Sequence, residues 1–148
     1  MSDGKSFPRL FTVEEANDLL PAIHPLMDRI SESVALLRER SERVIREERL
    51  SPDSPELMER LKRDDSIAGI IREAQELVDK VNSLGCVCKG VDEGLVDFPC
   101  QFGEEIVFLC WRQGERSVEH WHRIEDGFAG RKPLLDPEGA GGNPETYH

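Results

Sequence analysis

Between positions 16 and 44 apolar side chains return in alternating steps of three and four: Ala16, Leu20, Ile23, Met27, Ile30, Val34, Leu37 and Val44, with Ser41 in the remaining slot. A 3.6-residue repeat gathers these positions on one stripe, so the pattern predicts an amphipathic helix suited to coiled-coil packing over several heptads. Its start is marked by Thr12, Val13, Glu14 and Glu15, a capping box in which the threonine oxygen accepts an early amide and Glu15 reaches back. Pro21 and Pro25 keep the phase, but each removes a backbone donor at about 3 kcal/mol in a helix interior. They predict a kink, or a short first helix followed by a new one near Pro25.

Residues 50–55 read as a turn rich in Ser, Pro and Asp, after which Leu57, Leu61, Ile67, Ile71, Ala74, Val78, Val81 and Leu84 hold a similar phase up to a C-capping Gly85. Asp64 falls in the seam and marks a local opening, and Gly69 predicts a break within 66–69. The expected product is an antiparallel helical hairpin over 12–84, each helix roughly 45 to 50 Å long. Leu19, Leu26, Leu36, Ile45, Ile70 and Leu77 widen the apolar stripe, which predicts a homodimer of two such arms in a four-helix arrangement.

After Gly85 the period becomes two. Residues 86–89 predict a short strand, 90–94 a turn, and 95–98 an extended segment ended by Pro99. Residues 105–111 form the strongest candidate strand, apolar on both faces and therefore central or covered by the helices. A turn at 112–115 containing Gly114 leads into the alternating stretch 117–122. The fold class is α+β: a long antiparallel helical hairpin with a small C-terminal antiparallel β meander over 86–134 packed on one end of the arm. A tail over 135–148, poor in core-forming residues, is expected to be loose.

Composition narrows the function classes. The 148 residues suit one domain, and 30 acidic against 19 basic side chains give a net charge of −11. Such a surface repels phosphates, so no nucleic-acid partner is expected. No run of 18 apolar residues predicts a membrane span, and the first residues, with Asp3, Lys5 and Pro8, do not form a signal segment. The expected location is cytoplasmic, where thiols stay reduced. A disulfide framework is then out of place for Cys86, Cys88, Cys100 and Cys110, and the Cys86-Val87-Cys88 step is too short for a structural zinc knuckle. The four are expected to serve chiefly as small buried hydrophobes.

Alternation gives the C-terminal strand its chemistry. Val118, His120, His122 and Ile124 point one way, and Glu119, Trp121 and Arg123 the other. His120 and His122 therefore share a face, and Glu115 and Asp97 are the carboxylates best placed to complete a site for a divalent transition metal such as zinc. With an open position such an ion activates water, and Glu115 or Glu119 becomes the candidate general base of a hydrolase. The plain alternative pairs His120 with Glu115 and leaves His122 capping a loop or facing solvent. Trp111 and Trp121 read as core aromatics, with Trp111 as the candidate ligand-lining residue. In the stretch 126–131, two glycines flank Phe128, and Arg131 offers a bidentate clamp for a small anionic ligand. The alternative there is a tight turn with Phe128 in the core and Arg131 paired to Asp126, Asp92 or Glu93.

The chain resembles a bacterial family known as domain of unknown function 2203. The resemblance rests on 11–21 (FTVEEANDLLP), 84–87 (LGCV), 94–99 (GLVDFP), 109–115 (LCWRQGE), 120–122 (HWH) and 127–131 (GFAGR). It implies no settled activity, and directs attention to Asp97, Trp111, Glu115, His120, His122 and Arg131. Residues 14–17 belong to the same pattern and are expected to pack back against the β segment. The leading expectation is a non-enzymatic interaction or oligomerisation module with a ligand-sensing β cap. The metal-dependent hydrolase and the anion binder stand as alternatives.

Overall fold

The structure, a computed structural model, describes residues 7–134; the expected loose tail lies outside the described residues. The first helix, α1, runs Val13–Glu48 and opens on the capping box: Glu15 N–H donates to the Thr12 hydroxyl at 3.1 Å, and Thr12 N–H to the Glu15 carboxylate at 2.9 Å. The helix continues through Pro21 and Pro25, so neither starts a new one. Both prolines are exposed, where water can satisfy the carbonyls that they deprive of a donor, while Leu20, Ile23 and Met27 stay buried. At 36 residues α1 is about 54 Å long.

The return limb of the hairpin is two helices, α2 (Pro55–Lys62) and α3 (Asp65–Ser83). The break lies at 63–64 rather than within 66–69. Asp64 accounts for it: its carboxylate accepts the N–H groups of Ser66 at 2.9 Å and Ile67 at 3.2 Å, making it the N-cap of α3, and Gly69 sits inside that helix. Val44, Leu57, Leu61 and Ile67 form a small distal core, with Leu37, Ile45 and Leu50 against it. Of the positions expected to widen the stripe, Leu19, Leu26 and Leu77 pack into the main core and Ile45 into the distal one. Leu36 is exposed, as are Met58 and Ile71.

Five strands follow in a sequential antiparallel meander: β1 (Val87–Gly90), β2 (Leu95–Phe102), β3 (Glu105–Arg112), β4 (His120–Arg123) and β5 (Lys132–Pro133). Pro99 does not end β2. In β1 only 87–90 pair with β2, so Pro99 lies on a free edge, where its missing N–H interrupts no ladder. Its carbonyl, on the same edge, accepts Phe11 N–H at 2.7 Å, so the segment before α1 takes over where β1 stops.

The sheet has two unlike faces. Val96, Phe98, Leu109, Trp111 and Trp121 face Ala16, Leu20, Ile23 and Met27 of α1 and Leu77 and Val81 of α3 in one continuous core. Two side-chain clasps fix the meander on the helices. Gln113 accepts from the Ser31 hydroxyl at 2.7 Å and donates to Asp28 at 2.8 Å. Asn17 accepts Val118 N–H at 2.7 Å, which joins the 14–17 segment to the β region as expected. That bond also explains why β4 begins only at His120: the approach to it is tied to α1 instead of to a strand. Among the described residues no helix is long and apolar enough to cross a membrane.

Candidate metal centre

The chemistry lies on the sheet face turned away from the helices. Register places Asp97 of β2, Cys110 of β3 and His120 of β4 in one cross-strand row, and Pro99, Phe108 and His122 in the next row along. Asp97 and His122 come from strands two apart, a separation of about 9–10 Å, and their side chains meet over Cys110 between them. The result is a buried trio: Asp97 is 3 % exposed, Cys110 0 % and His122 2 %. One ligand atom from each lies within 4.8 Å of the others.

His122 is held by both ring nitrogens. Its Nδ1 is 2.7 Å from the Arg123 carbonyl, an acceptor only, so Nδ1 carries a proton and donates. Nε2 then faces both oxygens of Asp97, each at 3.2 Å. Two species satisfy that geometry: an imidazolium donating to the carboxylate, or a neutral ring whose Nε2 lone pair meets a cation shared with Asp97 and Cys110. Without a metal the first holds. Burial lowers the ring's proton affinity, but Asp97, Cys110 and the Arg123 carbonyl outweigh it and push the pKa up to about 10.

A tetrahedral ion bound at about 2.0–2.3 Å wants its donors about 3.3–3.8 Å apart. The Asp97–His122 side of the trio already has nearly that width, and no side exceeds 4.8 Å, so an ion requires closure of no more than about 1–1.5 Å. Charge also fits, because a carboxylate and a thiolate cancel a dication and leave a neutral buried cluster. A histidine that donates its distal N–H to a backbone carbonyl is the orientation that metal-ligating imidazoles commonly adopt.

The sequence-derived metal set is divided between two neighbouring groups. Asp97 and His122 stand together with Cys110. Glu115 and His120 form the second group with Arg131, whose terminal nitrogens donate to the two Glu115 oxygens at 3.1 and 2.5 Å. Glu115 is also fixed by Arg112 N–H at 2.8 Å. Burial opposes its charge, yet the Arg131 and Arg112 donors prevail and hold its pKa below the usual carboxylate range. Arg131 links the groups, with Nη1 3.9 Å from Cys110 Sγ. Its fork is thus engaged by an internal carboxylate, not by Asp126, Asp92 or Glu93. Phe128 is half-buried on a 3₁₀ turn (Phe128–Gly130), with the Arg131 and Arg112 guanidinium groups 4.4 and 5.7 Å from its ring centre, and it does not plug the core.

The remaining candidates stand apart. Trp111 lies on the helix side, fully buried, with its indole N–H on the Glu115 carbonyl at 3.0 Å and its ring against His24. Glu119 is exposed and accepts from the Ser117 hydroxyl at 2.7 Å. Cys86, Cys88 and Cys110 are free thiols. Burial pushes Cys86 up to about 11 and raises Cys88, so both keep their protons. Cys110 alone is grouped with a histidine and an aspartate as a candidate ligand among the described residues. Strand parity finds it only once the register is known, because position 110 then shares a face with its cross-strand partners 97 and 120.

A short cover lies over this face. The Phe7 ring packs edge-on to Phe108 at 5.6 Å, Phe108 packs edge-on to His122 at 5.6 Å, and the Lys89 ammonium sits 5.0 Å from the Phe108 ring centre.

Residues 9–134 match a family model described as Uncharacterized conserved protein (DUF2203). No curated protein and no solved structure matches the chain.

Proposed function

The chain belongs to the DUF2203 family of uncharacterized conserved proteins, and from that premise we propose that it binds one divalent transition-metal ion at Asp97, Cys110 and His122. The observation that carries this reading is the orientation of His122. Its Nδ1–H is spent on the Arg123 carbonyl, so Nε2 is the atom offered to the Asp97 carboxylate beside the Cys110 sulfur. One nitrogen, one oxygen and one sulfur donor favour a borderline ion of the zinc type over magnesium or calcium, which prefer all-oxygen sites. The sheet is then the ligand-sensing cap of the helical arm, and its ligand is the metal.

The test is metal content by mass spectrometry on protein purified without a histidine tag, before and after supplementation with zinc. The wild type should hold one equivalent, and Asp97→Asn, Cys110→Ser and His122→Ala should each lose it while remaining folded. Wild-type protein that takes up no metal under supplementation would assign the trio to a purely structural imidazolium–carboxylate pair.

A further inference from the structure

The trio leaves a question that decides what the centre can do: whether a fourth position belongs to solvent or to the protein. We infer that His120 is the fourth protein ligand, an inference that rests on the three-residue centre proposed above. His120 stands directly across from Cys110, in the same row as Asp97. Directly opposed residues carry their Cβ atoms about 4.5–5.5 Å apart. Register therefore makes His120 the direct cross-strand neighbour of Cys110, whereas His122 joins the trio on a diagonal; the His120 ring itself stands beside Glu115, outside the three-residue group. Period two puts both histidines on the outer face.

The state of His120 Nδ1 supplies a second observation. The atom is shielded from solvent and has no hydrogen-bond partner. Its nearest acidic group, a Glu115 oxygen, is 3.8 Å away, beyond hydrogen-bonding distance. A buried nitrogen without a partner is uncommon in a folded protein and is costly wherever it occurs. Glu115 cannot easily move closer, because Arg131 and the Arg112 N–H hold it. A cation in the trio, reached by a side-chain rotation within the same row, gives the nitrogen a partner that the polypeptide does not.

Two neutral imidazoles, a carboxylate and a thiolate around a dication again sum to zero charge. Four protein ligands also close the coordination sphere, as in structural zinc sites, and leave no position for the water that hydrolysis requires. The centre is then structural or sensory rather than hydrolytic.

Cobalt(II) tests this, because its visible bands report coordination number and its near-ultraviolet charge transfer reports the thiolate. Metal-free wild type titrated with cobalt should give the intense bands of a four-coordinate ion together with thiolate charge transfer. His120→Ala should keep the charge transfer, lose most of the visible intensity as water enters, and bind more weakly by more than the roughly 10–100-fold that loss of an outer partner costs. His120→Cys should restore the four-coordinate intensity with added charge transfer, which a merely structural histidine would not do. Equal spectra and affinities for wild type and His120→Ala would overturn the role of His120 while leaving the three-residue centre standing. No cobalt spectrum in the wild type would overturn the centre itself.

Discussion

His122 and Asp97 meet across an intervening strand with Nε2 equidistant, at 3.2 Å, from both carboxylate oxygens, although β3 separates their backbones. Both side chains are almost wholly buried, so in the metal-free protein the pair contributes to stability only while the ring is charged. The folded pKa, about 10, lies above the unfolded value of about 6.5. The sign follows: the contribution is complete below about pH 6.5 and is lost as pH rises through about 10. We expect metal-free protein to lose on the order of a few kcal/mol between pH 6.5 and 10 in urea titrations, relative to His122→Phe. Nitrogen NMR should find both ring nitrogens of His122 protonated at pH 8. A ring that titrates near 6.5 would show that the Asp97 contact does not hold the proton.

The Arg131–Glu115 pair responds at the other end of the scale. Glu115 has a lowered pKa in the fold, so its contribution is present above its unfolded value of about 4.3 and lost as pH falls. The two side chains are about one-fifth exposed, which discounts the energy below that of a fully buried pair. A double-mutant cycle over Glu115→Ala and Arg131→Ala should return about 1–2 kcal/mol of coupling at pH 7 and a clearly smaller coupling as the pH is lowered to 3. Coupling that is unchanged at pH 3 would mean that packing on Phe128, not charge, joins the two.

Asn17 ties α1 to the approach to β4 through Val118 N–H, and Val118 is 2 % exposed. Asn17→Ala should leave that donor buried without an acceptor and cost about 1–3 kcal/mol in chemical denaturation. Asn17→Asp retains an acceptor oxygen and should recover most of the loss. If both variants cost the same, the side-chain amide matters for some contact other than the Val118 bond.

Local signals that depend on neighbouring residues were legible in the sequence. Thr12 and Glu15 announced the start of α1, and alternation placed His120 and His122 on one face. Signals that depend on which strand lies beside which were not. Asp64 read as a polar interruption of the seam, when its carboxylate caps a new helix that begins at the next residue. Pro99 read as a terminator because its tolerance comes from an edge that exists only when β1 stops short. Cys110 was hidden because 106–111 is apolar throughout, and a strand buried on both faces shows no alternation to mark which side faces Asp97. The same pairing separates Glu115, tied to Arg131, from Asp97.

Burial of the trio has a kinetic consequence, because an ion can enter or leave only if something over the outer face moves. Two covers are available. The 127–131 side is fastened by the two-pronged Arg131–Glu115 contact. The segment before α1 is held by the Phe11 N–H bond to Pro99 and by the edge contact of a half-buried Phe7 on Phe108, which in turn touches His122. The second is the easier to lift, since detaching an aromatic edge contact of about 0.5–1.5 kcal/mol exposes no charge. Phe7→Ala should therefore speed metal release to a coloured chelator by several-fold, with one equivalent still bound at equilibrium. Arg131→Ala should have the smaller effect on that rate. If Phe7→Ala releases metal at the wild-type rate and Arg131→Ala releases it faster, the ion passes on the side of residues 127–131, and the Phe7 contact serves only to pack the edge of the sheet.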